Sequence, residues 1–185
     1  MAVIISMLRA VNVGAHNRIG MAELRQVYES LKLEEPQTYV QSGNVVFKTK
    51  ERDLVLLAKK IENAIERKLG VRTTVIMRTA RELRSVIARN PFAKRRGIEP
   101  NRLLVTFFVS DPGREARNEA QNIKADPEEL WIEGREAYVY YPNGLARPKI
   151  PWMLLERMLQ VAGTGRNWNT VTKLLEIAEK LESAE

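Results

Sequence analysis

Residues Val3 to Leu8 form an unbroken apolar run, the pattern of a strand covered on both faces. A polar stretch from Asn12 to Gly20 follows. Then Met21, Leu24, Val27, Tyr28 and Leu31 recur at the spacing of one helix face. Thr38-Tyr39-Val40 and Val45-Val46-Phe47 flank Ser42-Gly43-Asn44, which predicts a hairpin. Asp53 is placed to cap a second helix whose stripe is Leu54, Leu57, Ala58, Ile61, Ile65 and Leu69, and Gly70 ends it. The β-branched segment Thr73 to Met77 reads as a fourth strand.

The pattern then begins again. A short helix around Leu83, Val86 and Ile87 stops at Asn90-Pro91, because proline restricts the residue before it. Leu103 to Val109 is the strongest strand of the chain, and Asp111-Pro112-Gly113 opens a helix with the weak stripe Ala116, Ala120 and Ile123. Leu130-Trp131-Ile132 and Ala137-Tyr138-Val139-Tyr140 bracket Gly134-Arg135, a two-residue hairpin with glycine first, as a type II′ turn prefers. Leu154, Leu155, Met158 and Leu159 make the next helix. The pattern shows no final strand; a helix carrying Val171, Leu174, Leu175, Ala178 and Leu181 stands in its place. The order, βαββαβ and then α-βαββα-α, predicts an α+β chain of two similar halves, residues 1–78 and 79–185, that form one family domain. With no Gly/Ser linker between them, the halves are expected to pack closely.

Composition narrows the chemistry. At 185 residues and 44% apolar, the chain can bury a real core, and no stretch is apolar for long enough to span a bilayer. The first residues read as a buried strand, too short and too poor in basic residues for a signal peptide. The absence of cysteine removes disulfides, thiolate nucleophiles and Cys-based zinc sites, and points to the cytoplasm. One histidine, His16, leaves no zinc site either, and a lone histidine in a polar loop reads as solvent-exposed. No phosphate-cradling glycine motif or nucleophile elbow is present, so no cofactor is expected. The net charge of +7 suits anionic partners, yet most basic residues alternate with acids along helix faces, and the one dense run is Lys94-Arg95-Arg96.

Polar residues gather in four segments: Arg9 to Gly14, Gln41 to Asn44, Gly144 to Lys149 and Thr164 to Asn169. Each has a plain structural use. Asn12 and Gly14 can shape a loop, Ser42-Gly43-Asn44 can be a hairpin turn, and Asn167 or Asn169 can cap the last helix. In a split βαβ arrangement, however, the loop after the first strand lies at the same sheet end as the hairpin between strands two and three. Asn12 and Asn17 would then meet Gln41, Ser42 and Asn44. These segments supply amides, a hydroxyl, Arg and Lys but almost no carboxylate. That set suits binding a carboxylate or phosphate better than acid–base catalysis. The expected ligand-binding residues are Arg9, Asn12, Asn17, Gln41, Ser42, Asn44, Lys149, Arg166, Asn167 and Asn169.

These segments also carry a resemblance. Leu8 to Gly14, Thr38 to Phe47, Asn90-Pro91-Phe92 and Arg166 to Val171 resemble, in order and over nearly the whole chain, the signatures of the bacterial family catalogued as domain of unknown function 1697. The resemblance implies a duplicated ferredoxin-like α+β fold and no particular reaction. The chain departs from it in carrying Ala10 and Ala15 where members show glycine. It also reads Leu145-Ala146-Arg147-Pro148-Lys149 where they carry Gly-x-x-Ser-Lys, so that Pro148 removes a hydroxyl and a backbone donor.

Four functions compete. The leading one is binding of an anionic small ligand, with Arg9, Lys149 and Arg166 as charge partners. Nucleic-acid binding is expected to be weak and sequence-independent, because the strands offer Val, Ile and Leu where base-stacking sheets carry aromatics. An enzyme acting on a phosphorylated metabolite would use Lys149 or His16 for proton transfer. A structural protein would use the motif residues to tie its halves together. No membrane partner is expected, and oligomeric state is not written in the chain.

Overall fold

The structure is a computed structural model that describes Met1–Ala184. Its first sheet is built from β1 (Ala2–Leu8), β2 (Glu34–Tyr39), β3 (Asn44–Thr49) and β4 (Val75–Thr79), in the antiparallel order β2-β3-β1-β4. The helices α1 (Met21–Ser30) and α2 (Leu54–Leu69) connect these strands, and α3 (Ala80–Ala88) follows β4. A second sheet, with order β6-β7-β5-β8, repeats the plan with β5 (Leu103–Phe108), β6 (Glu129–Glu133), β7 (Glu136–Tyr140) and β8 (Gly163–Asn167). Its helices are α4 (Arg114–Gln121) and α5 (Trp152–Leu159), and α6 (Trp168–Ser183) follows β8. This is a duplicated ferredoxin-like α+β arrangement. The chain divides into two compact units, Met1–Arg84 with the chain from Lys173 on, and Ser85–Thr172. No helix among the described residues is long and apolar enough to cross a membrane.

In the first unit, Ile4, Leu8, Val45, Phe47, Val75 and Met77 pack one sheet face against Leu24, Val27 and Tyr28 of α1 and Leu57, Ile61 and Ile65 of α2. Each such side chain, fully buried, stabilises the fold by about 1.5–3 kcal/mol. The Tyr28 hydroxyl is satisfied by Ser6 Oγ at 2.8 Å. The alternate residues Val3, Ile5, Met7, Val46 and Ile76 are buried too, which is why β1 shows no polar alternation. In the second unit, Phe108, Ala137, Val139, Tyr141, Ile150, Leu155 and Leu159 form the equivalent core.

Local chemistry sets the element ends. Asp53 accepts from Leu56 N at the start of α2, and Gly70 closes the helix at φ 69°. Thr79 and Glu82 form a reciprocal capping box before α3 (Glu82 N to Thr79 Oγ1, 3.1 Å; Thr79 N to Glu82 Oε2, 2.7 Å).

The final strand missing from the sequence pattern is present as β8. Its residues, Gly163-Thr164-Gly165-Arg166-Asn167, include no large apolar side chain, so a period of two leaves no trace in hydropathy. The glycine at its start has a packing reason: a Cβ at Gly163 would lie 2.8 Å from Phe108 Cδ1 and 3.1 Å from the Phe107 carbonyl.

The two sheets correspond bond for bond at one end. Leu8 N donates to Gly43 O and Arg9 N to Thr74 O in the first; Phe108 N donates to Arg135 O and Val109 N to Ala162 O in the second. By this register Ile5 faces Arg78 and Val105 faces Arg166, so the two fourth strands carry an arginine at the same place.

Candidate functional site

In the first unit the connections 9–20, 40–43 and 70–74 meet at one sheet end, as the split arrangement requires. Asn12 is the pin. Its Nδ2 donates to Gln41 O (2.7 Å) and Ile19 O (3.0 Å), and its Oδ1 accepts from Ile19 N (2.8 Å). Asn12 N also donates to Asn17 O, while Asn17 Nδ2 donates to Ala10 O at 3.2 Å. Asn44, buried, donates from Nδ2 to Tyr39 O (3.0 Å) and Ser42 Oγ (2.8 Å). Both amide hydrogens of Asn12 and of Asn44 are therefore spent within the protein. Asparagine suits this work because it tolerates left-handed backbone and bonds locally.

That backbone is unusual. Ala10, Asn12, Asn17 and Val40 all sit at positive φ (55°, 53°, 52° and 52°), with Gly14 and Gly43 beside them. For a β-branched residue such as Val40 this is a strained conformation, which persists only where the surroundings over-determine it. Gly43 is required at its place: at φ 77°, a Cβ would lie 2.7 Å from Val11 Cγ2 and 2.9 Å from Leu8 Cβ.

The three connections contain Arg9, His16, Arg18 and Arg72 and no carboxylate. Arg72 is engaged by Glu66 at 2.6 Å. His16, Arg18 and Gln41 are exposed; Arg9 and Ser42 are half-buried. The sequence showed most of this end, but not Arg18, whose signal was the lack of acids across the whole loop.

The other expected residues belong to the second unit. Lys149 is exposed, its main-chain N donating to Glu128 Oε1 (2.8 Å) and its Nζ to Asp126 O. Arg166 is only 6% exposed, with Nη1 on Thr164 Oγ1 (2.6 Å) and Gly165 O (2.8 Å). Burial pulls its guanidinium below the usual arginine range, to about 10. This is a placement at odds with an arginine offered to solvent. Asn167 caps α6 by accepting from Thr170 N at 2.9 Å; Asn169 is exposed, and its carbonyl accepts from Thr172 Oγ1.

The register also shows an unforeseen residue. Arg78, 1% exposed, is the counterpart of Arg166 and donates to Met77 O at 2.8 Å. Its signal was an arginine followed at once by a helix cap, Arg78-Thr79, which matches Arg166-Asn167. No group of His, Asp or Glu among the described residues is arranged to hold a metal ion.

The model of a family described as "Protein of unknown function (DUF1697)" matches residues 1–138. Among solved structures, the conserved bacterial protein SP0830 from Streptococcus pneumoniae is similar in fold, with a TM-score of 0.71 and 20% identity over 96% of this chain and 98% of that one. Among curated proteins, none matches the chain.

Proposed function

This chain belongs to the DUF1697 family, and we propose that it binds a small anionic ligand, phosphate- or carboxylate-bearing, on the loop end of its first unit. One observation carries the reading: Asn12 pins the loop 9–20 to the turn at Gln41, holding strained connections that contain no carboxylate of their own and carry Arg9, His16, Arg18, Gln41 and Ser42. Donors fixed before the ligand arrives lose little entropy on binding. Asn12, Asn17 and Asn44 act here as the frame. Lys149, Arg166, Asn167 and Asn169 belong to the second unit, and the proposed site is built from first-unit residues.

The test uses inorganic phosphate. It should raise the melting temperature of the wild-type protein saturably, as any ligand selective for the native state does. Arg18→Ala should abolish that rise while leaving the unliganded melt within about 0.5 kcal/mol, since the side chain is exposed. An unchanged phosphate response in Arg18→Ala overturns the reading. Binding of a single-stranded RNA that resists added salt would favour a nucleic-acid reading instead, because phosphate contacts alone weaken steeply with salt.

A further inference from the structure

At the opposite end of the first sheet, the short connection 50–53 leaves a cavity of about 220 Å³ beside the end of α1. Its lining is of two kinds. Leu33 and Leu57 are buried, and Leu31 packs against the same core, so the inner wall is aliphatic. Lys32, Lys50 and Lys60 are exposed at its mouth, against the carboxylates of Glu34 and Glu51.

The charges do not cancel. Glu51 is fully engaged: Oε1 accepts from Asp53 N and Arg52 N, and Oε2 accepts from Lys60 Nζ at 3.3 Å. The bond from Asp53 N, with Lys60 behind it, holds the Glu51 carboxyl below the usual range. Neighbouring Glu35 is taken by the buried Lys48 at 2.9 Å. Lys32 and Lys50 make no ion pair among the described residues, and Glu34 is the other carboxylate among the lining residues. Thr49, 6% exposed, accepts from Glu51 N at 3.1 Å and keeps its own hydroxyl hydrogen to donate. The end of α1 does not spoil this balance. Its Tyr28 and Glu29 carbonyls are already taken by the N–H groups of Leu31, Lys32 and Leu33. Lys32 itself is held at φ 59°, a left-handed conformation that fixes the chain where it carries an ammonium group to the mouth.

We propose that this cavity binds a short-chain monocarboxylate, with the aliphatic tail on Leu31, Leu33 and Leu57 and the carboxylate at Lys32, Lys50 and Thr49. A bare inorganic anion would leave the leucines wet, and a neutral chain would leave the ammonium groups unmatched. The small size of the cavity suits a short tail. The site shares no residue with the loop surface and does not rest on it.

Hexanoate is the probe. In methyl-labelled wild-type protein it should shift the Leu31, Leu33 and Leu57 methyl resonances saturably, whereas 1-hexanol at the same concentration should not. Lys32→Ala/Lys50→Ala should weaken hexanoate binding at least about tenfold, since both ammonium contacts to the carboxylate are removed, and leave the unliganded melt nearly unchanged. Arg18→Ala should leave hexanoate binding intact, which separates this site from the loop end. Absence of the leucine shifts in the wild type, shifts confined to other methyls, or unchanged affinity in the double lysine variant overturns the proposal.

Discussion

The two units share a frame and differ in which connection is long. In the first, the chain after the first strand runs through 9–20 and the chain after the third through only 50–53. In the second, the allocation is reversed: 109–113 after the first strand, 141–151 after the third. Open volume follows the short connection in each. The first unit has its 220 Å³ cavity beside 50–53, while in the second that end is filled by the long connection, whose Ile150 is 1% exposed and accepts from the Tyr141 hydroxyl at 2.7 Å. Conversely, the second unit has an open groove of about 600 Å³ beside 109–113, where the first carries its pinned loop. The charges differ too, for Glu115 and Glu119 line that groove with Arg114, and Asp111 there is paired with Arg117. A duplicated frame fixes register, caps and buried arginines, and leaves its connections to diverge in the chemistry that they present.

The largest effect expected from this comparison is on stability in base. Burial pushes Tyr28 in the first unit, and Tyr138 and Tyr141 in the second, well above the usual value near 10. Above pH 10 the unfolded tyrosines release protons that the folded ones keep, so each tyrosine's contribution is lost as pH rises. Arg166 acts oppositely, because burial lowers its guanidinium and favours the folded state as the pH rises. Each shifted tyrosine lowers stability as the pH rises above 10, and the three outweigh the single arginine. Urea melts of Tyr28→Phe between pH 10 and 12 should therefore lose stability less steeply with pH than the wild type; an unchanged slope breaks the assignment.

The paired arginines come next. Arg78→Ala and Arg166→Ala should each cost about 3 kcal/mol, since each strands buried acceptors and leaves a void. The midpoint in urea should fall with the m-value unchanged. If Arg166→Ala melted like the wild type while Arg78→Ala did not, the two positions would be equivalent in register only.

The hairpin glycines should separate the units. Gly43→Ala meets both the left-handed backbone and the Val11 and Leu8 side chains, for a cost of about 3 kcal/mol. Gly134→Ala, at φ 58° with nothing within 4 Å, meets the backbone cost alone, about 1 kcal/mol. Equal melting temperatures for the two variants would mean that the turn at Gly43 relaxes, and with it the frame pinned by Asn12.

The elements legible in the sequence were those whose apolar residues repeat. α1, α2 and α6 announce themselves by periodicity, β1 and β5 by their apolar runs, and the Gly134-Arg135 turn by its glycine. β8 did not, because its buried residues are glycine, threonine and arginine, which hydropathy reads as loop. The meeting of Asn12 with Gln41 followed from topology once the strand order was inferred. What the amides do there did not follow, since an asparagine that pins a loop and one that binds a ligand look alike in sequence. The cavity at Lys32 and Lys50 was invisible for a different reason. It is an absence of chain, set by the brevity of 50–53, and its lysines alternate with acids as on any solvated surface.

The smallest expected effect tests the duplication at its edges. β4 and β8 are edge strands, and each has its first backbone N–H taken by a glutamate from the preceding helix: Val75 N by Glu62 Oε1 at 3.0 Å, Gly163 N by Glu156 Oε1 at 2.8 Å. The two glutamates lie at different distances along the chain from their strands, because α2 is twice the length of α5, yet they reach the same atom of the frame. Removing either carboxylate leaves one N–H at a sheet edge, where water can replace the lost acceptor. Glu62→Ala and Glu156→Ala should therefore each cost about 1 kcal/mol, close to the net value of one hydrogen bond. Glu62 also accepts from Lys59 at 3.0 Å, an i,i+3 pair worth only a few tenths of a kcal/mol on a helix surface, so this does not change the ranking. Amide exchange gives the sharper readout. Val75 N–H in the first variant and Gly163 N–H in the second should lose protection, while the neighbouring ladder amides keep theirs. If one variant loses protection across its whole strand and the other at a single amide, the bond closes an edge in one unit and holds the strand in place in the other.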